Sequence, residues 1–367
     1  MDKGYADSAA DRDAHSSPGL WTLAWRRLRR DRLGMASLAV VALFLLTLLL
    51  SASGLLAADW EREVAVNYAP PSWLAPSASS TGADAGPASA AALPDNPFDP
   101  LADDIRALRG AGGERYGIAD PLADELAQLR PGAARGSAAA RRASLPFGAD
   151  KWGHDIVKKT IKGGETSIVV GLVAALLAVG IGTALGALSG YFGGVVDDLL
   201  TWFYSVFTAI PAILMILTVA AVLQHKGVLT IVLILGLTGW TGPYRLMRAE
   251  YMKHRRREYV LAADAIGASH WRKMASHIFP NVSHVALVQL SILVVGFIKA
   301  EVILSFLGFG VPVGTVSWGS MLNEAQNELI LGKWWQLAAA AGAMALLVTA
   351  FSLLTDALRD ALDPKLR

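Results

Sequence analysis

Hydrolysis by a side-chain nucleophile needs that group, a base and an orienting partner brought together, and the 367-residue sequence offers few such sets. It has no cysteine, which excludes a thiol nucleophile, a zinc–thiolate site and a disulfide scaffold at once. Ser189, Ser205, Ser291 and Ser305 fall in apolar runs, the setting an intramembrane serine protease would require. The histidines that would have to activate them, His225, His254, His270, His277 and His284, sit in loops or at the ends of those runs. Lone serines in apolar helices usually bond to their own backbone or pack helices together. There is no His-Glu-x-x-His pair for zinc, and Gly163-Gly164 lacks the downstream Gly-Lys-Ser/Thr that holds phosphates. No catalytic or metal-ligating set emerges, so the chain is expected to be no enzyme, with no cofactor of its own.

Two charged residues remain inside an apolar run, Lys299 and Glu301. Such groups are costly in lipid and by default face a cavity or a partner. Two positions apart they project to nearly opposite sides of a helix and cannot pair with each other. Glu301 is a candidate for lining a substrate pathway; bonding to a neighbouring helix is the other reading.

The elements that must position these groups are membrane helices. Hydrophobic residues make up 53% of the chain and charged residues only 17%, against about 25% in an average soluble protein. The mean hydropathy is +0.41, and the net charge of +2 lacks the basic excess of a nucleic-acid binder. Uncharged runs long enough to cross a bilayer occur at 33–58, 166–196, 199–224, 227–244 and 334–355, with a sixth at 285–309 that holds Lys299 and Glu301. The expected fold is all-α and integral to the membrane, with six transmembrane helices. Pro211 should kink the third span, and Gly182, Gly186, Gly190 and Gly194 form a small-residue stripe suited to close helix contact. The end of the second run, Gly190–Gly194, reads as a loop.

Basic residues set the sidedness. Five arginines precede the first span between Trp25 and Arg32, eight basic residues lie between Arg245 and Lys273, and Arg359, Lys365 and Arg367 follow the last span. Both termini and the 245–284 loop therefore belong in the cytoplasm. Tryptophans and arginines alternate over Trp21–Leu33, the pattern of an amphipathic helix lying at the membrane surface. On the other side, 59–162 begins with a flexible linker, since 18 of the 23 residues from Ala75 to Pro97 are Ala, Pro, Ser or Gly. A short duplication follows: Asp99–Arg109 recurs as Asp120–Arg130, each copy opening on Asp-Pro as a helix would. With 13 acids against 8 basic residues over 59–150, this face is acidic. The chain thus divides into a cytoplasmic region (1–32), a first span (33–58), an outer segment (59–162), a five-helix core (163–358) and a tail (359–367).

The loop 245–284 is too long for a simple connection. Its pattern predicts a helix to Ile266, a turn at Gly267, a second short helix capped by Ser269 and a stop at Pro280. Such a knob on a membrane protein is a docking surface.

The residues Tyr259-Val-Leu-Ala-Ala-Asp-Ala-Ile-Gly-Ala-Ser269, then His277-Ile-Phe-Pro280, resemble the EAA loop of ABC-importer permeases, above all the C-type subunit of dipeptide/oligopeptide permeases. Phe147, Gly148, Asp150, Gly153 and Asp155 are similar to that family's outer Phe-Gly-Thr-Asp-x-x-Gly-Arg-Asp element. The segments before the first span, Glu301–Gly310, Ser317–Leu322 and Leu358–Pro364 match in order as well. Three departures stand out. Leu261 occupies the place of the family's glutamate, so that acid's bond is absent or comes from elsewhere, Glu258 lying one turn earlier. Ala149 and His154 replace Thr and Arg in the outer element. The insert at about 69–145 has no counterpart.

The resemblance implies a type I ABC-importer permease in the bacterial cytoplasmic (inner) membrane. Its partners would be a homologous second permease subunit, two ATPase subunits that bind ATP and magnesium, an extracytoplasmic substrate-binding protein and the lipid bilayer. The cargo would be di- or oligopeptides, with nickel or another small solute as the alternative. Ala262 and Ala263 would pack on an ATPase, Gly267 would make the turn, and His277, Ile278, Phe279 and Pro280 would close the knob.

Overall fold

The computed structural model describes residues 20–74, 141–223, 227–312 and 314–362. The linker at 75–97, the repeated segments 99–109 and 120–130 and the last residues of the tail lie outside them.

Helix α1 (Leu20–Arg30) is followed by α2 (Arg32–Ala52), with Asp31 between them accepting from the Leu33 amide at 3.0 Å as the N-cap. Leu28 of α1 is buried against Ala361 and Leu362 of the last helix, α11 (Trp335–Leu362). Arg27 donates to the Ala361 carbonyl at 3.4 Å. The amphipathic segment therefore docks on the end of α11, and the N-terminal and C-terminal helices end on the same side.

The second helix of the bundle, α3, runs from Ile156 to Phe192, so it starts before the expected boundary at 163 and takes in Lys158, Lys159 and Lys162. Asp155 caps it, accepting from the Val157 amide at 2.8 Å. Gly190 is helical, not a loop; the break comes at Gly193 and Gly194, both at positive φ. The third expected span is two helices, α4 (Gly194–Ala209) and α5 (Ala212–Leu223), bent by 86°. Pro211 removes a donor, and Ile210 before it is extended, as a residue preceding proline should be.

The fourth expected span is also divided, into α6 (Val228–Thr238) and α7 (Thr241–His254). The short α8 (Glu258–Ala265) leads to α9, a continuous helix from His270 to Phe306. Pro280 does not stop it, contrary to the sequence-based expectation. Residues Lys273–Ile278 form a wider π turn just ahead of the proline, which accommodates the missing donor and the ring. Helix α10 (Trp318–Ile330) follows on the outer side, opened by a Ser317–Ser320 capping box.

Among the described residues four helices, α2, α3, α9 and α11, are long and apolar enough to cross a membrane, and there are five if the bent pair α4–α5 counts as one span. The fourth expected span, 227–244, is not among them, because α6 has only 11 residues. The core runs along α3, where Ile168, Ala174 and Ala178 meet Ile231 and Leu235 of α6 and Val294 and Ile298 of α9.

The small-residue stripe of α3 seats α7. A Cβ on Gly182 would lie 2.5 Å from the Trp240 carbonyl, and one on Gly186 would lie 2.6 Å from that of Tyr244. Gly190 meets the Arg248 carbonyl in the same way. The two helices thus match residue for residue at a spacing of four, and only glycine allows their backbones so close.

Candidate functional site

Two groups of residues stand out, one at each end of α3. At the inner end, α8 and the start of α9 form the knob. Gly267 has φ +75°, and a Cβ there would meet nothing within 4 Å. Its requirement is conformational, since the left-handed turn disfavours any L side chain. Ser269 caps the helix that follows, accepting from the Arg272 amide at 3.4 Å.

The two alanines expected to face a partner point different ways. Ala262 is exposed, whereas Ala263 is buried. Val260 and Ile278 are buried with Met247, Tyr251 and Met274 in the core beneath the knob. Ala263 and Ile278 therefore hold the knob together, and the outward face carries Leu261, Ala262, Ile266 and Trp271, with Ile266 83% exposed. Phe279 and Pro280 are also exposed; His277 is partly covered, its carbonyl accepting from Asn281 at 2.7 Å.

Polar bonds brace the knob against the bundle. Tyr251 donates its hydroxyl to the Met274 carbonyl at 3.1 Å, and Arg255 donates to the Tyr191 carbonyl at 2.9 Å. Arg248 grips Asp197 with two bonds of 2.6 Å, tying α7 to α4. Leu261, in place of an acid, is exposed, and Glu258 forms no ion pair among the described residues. The knob's acidic partner is instead Asp264, bonded to Lys273, which holds the Asp264 carboxyl below its ordinary range. Sequence reasoning missed this pair; the spacing of nine residues spans the Gly267 turn and carries no helical periodicity.

At the outer end, the 147–155 motif folds over the start of α3. Asp150 is fully buried and accepts from the Trp152 and His154 amides, both at 2.9 Å, and from Lys159 at 2.7 Å. Lys159 also reaches Glu324 of α10 at 2.6 Å, and Gln336 of α11 donates to Glu324 at 3.2 Å. Burial by itself would raise the Asp150 carboxyl, but the Lys159 ammonium outweighs it and holds the group below its ordinary value. Gly153, at φ +83°, lies so close to the Ala65 carbonyl that a side chain has no room. Gly148 packs on the Trp335 ring, and Trp335 donates to the Ala149 carbonyl at 2.8 Å. Phe147 is partly exposed and meets Trp73 edge-on. Nearby, both carboxylate oxygens of Glu328 are buried without a partner, and burial pushes that group up to about 7.

Glu301, the pathway candidate, lies inside the bundle. It is fully buried between α3 and α9, where Ser167 and Ser305 each donate to it at 2.7 Å, and Ser167 in turn accepts from the Trp318 amide at 3.1 Å. The acid joins three elements, a role that the sequence raised as the alternative. Among the described residues no group of three or more His, Asp or Glu could hold a metal ion.

The family matches take in the knob and leave out the 147–155 motif. Residues 182–367, which include the knob, match the family described as binding-protein-dependent transport system inner membrane component. Residues 19–71 match the N-terminal transmembrane domain of oligopeptide transport permease C. A dipeptide transport system permease protein of Bacillus subtilis (strain 168) is 37% identical over 221 residues, 60% of this chain and 69% of the relative. An oligopeptide transport system permease protein of the same organism is 37% identical, over 60% of this chain and 72% of its own length. The oligopeptide permease of Haemophilus influenzae is 34% identical over 60% and 70%.

Proposed function

Because the chain belongs to the binding-protein-dependent transport system inner membrane component family, we propose that it is the C-type membrane subunit of a peptide importer, driven by ATP hydrolysis on separate subunits. The relatives' names supply the cargo class, dipeptides and oligopeptides. The chain itself is a multi-pass membrane protein of a transport family and brings no catalytic group. Its setting would be the bacterial inner membrane, with the knob and both helical termini in the cytoplasm. Its partners would be a second permease subunit, an extracytoplasmic binding protein and two ATPases holding ATP and magnesium.

The observation that carries the mechanism is the outward face of the knob. Leu261, Ala262, Ile266 and Trp271 are apolar and exposed on a knob braced to α3 and α7. An ATPase seated there would move α8 as a rigid lever. The brace through Met274, Ile278 and the long α9 would carry that displacement into the bundle. Because Ala263 is inside the knob, Ala262 is the residue for testing the contact. Ala262→Asp should abolish stimulated ATP hydrolysis by the assembled importer, with membrane insertion and thermal stability unchanged. Full stimulation with the aspartate in place would show that this face is not where the ATPase couples.

A further inference from the structure

Lys299 is exposed on α9 and forms no hydrogen bond or ion pair among the described residues. It lies on the same helical face as Ile292, Gly296, Ile303 and Phe306, since these positions repeat at three, four and seven residues. Ile292, Ile303 and Phe306 are exposed, and a Cβ on Gly296 would meet nothing within 4 Å. The opposite face, with Ile298, Glu301 and Ser305, is buried in the bundle. Toward the inner end the open face continues into a groove where Gln289 and Ile292 meet Glu250, His284 and Arg359. The open face of α9 therefore meets a groove of mixed polar and apolar lining at its inner end and carries a lone ammonium in its outer half.

Depth makes that ammonium expensive. Phe306, the end of α9, is seven residues away, about 10 Å at the helical rise. Side chains lean toward the N-terminus of their helix, so Lys299 leans away from the outer surface and into the apolar zone. An unpaired ammonium there needs water or an anion. Resting on the peptide-importer reading above, we propose that Lys299 binds the free carboxylate of the transported peptide as it passes along this face of α9.

The test uses the complete importer in membrane vesicles, with labelled trialanine and its C-terminal amide supplied at saturating concentration. A charge-assisted bond is strong enough to govern the rate by about tenfold or more. Lys299→Gln should lose about tenfold in uptake of the acid relative to the amide, while Lys299→Arg keeps the wild-type ratio. Acid uptake that survives Lys299→Gln, or that falls by the same factor as amide uptake, overturns the assignment. Loss of the second permease subunit from purified Lys299→Gln complexes also overturns it, because the lysine would then be paired with a carboxylate of that subunit. A wild-type importer that moves neither compound brings down the peptide reading itself, an outcome distinct from the other three.

Discussion

The two ends of α3 use charge differently. At the outer end, Asp150, Lys159, Glu324 and Gln336 are drawn together and bonded to one another, so charge is used inside the protein. At the inner end, glycines, aliphatic side chains and Tyr251 make the close contacts, the ion pairs Arg248–Asp197 and Asp264–Lys273 lie at partly exposed margins, and apolar side chains are left on the surface. Buried ion pairs penalise any partial opening, because a separated charge in a low-dielectric site is uncompensated. Close-packed small residues transmit displacement but leave the surface chemically unused. The outer end therefore latches the 147–155 motif, α10 and α11 to the bundle, and the inner end is shaped to receive force.

The largest test of this contrast is Asp150→Ala. It leaves the buried Lys159 ammonium with Glu324 as its one carboxylate and removes the acceptor of the Trp152 and His154 amides, so it should cost about 3–5 kcal/mol, read as a large drop in the melting temperature of the purified chain. A loss no larger than that of Ala262→Asp, which should stay within about 0.5 kcal/mol, would erase the distinction between the ends. Next, Gly186→Val places a Cβ against the Tyr244 carbonyl and should cost about 1–3 kcal/mol, measurable in the same melts. A neutral result would mean that α3 and α7 are not locked in register.

The smallest effect, and the one that sharpens the outer end, concerns pH. Glu328 is raised from 4.5 to about 7. Between those values the folded chain keeps a proton that the unfolded carboxyl has released. Stability should therefore fall as pH rises across that interval and level off above it. Glu328→Gln should remove this slope and melt higher than wild type at pH 8. Asp150 has the opposite sign: its depressed carboxyl gives up stability only as pH falls below the ordinary carboxylate range. A Glu328→Gln melt that follows the wild-type profile would place that carboxyl in water.

Much of this was legible in the chain. The membrane setting, the glycine stripe, the break at Pro211, the Gly267 turn and the Ser269 cap each depend on local composition or on one residue's backbone limits. The illegible parts depend on neighbours far along the sequence. Nothing local separates Ala262 from Ala263, because which alanine is buried depends on where Met274 and Ile278 return. Proline at 280 reads as a stop until the π turn before it is seen. Glu301 had two readings, and Ser167, 134 residues away, supplies the bond that the bracing reading expects.

The sequence by itself determined the apolar helices, the side on which basic residues gather and the resemblance carried by the knob and the outer motif. These follow from transfer into lipid and from short-range backbone sterics, which act residue by residue. Only the tertiary structure decided that Asp150 and Lys159 close a buried latch with Glu324, that Asp264 is bonded within the knob, and that Lys299 lies on the exposed face of α9 with no bonded partner among the described residues. Pairing and burial are properties of two or more distant segments, and packing, not periodicity, brings those segments together.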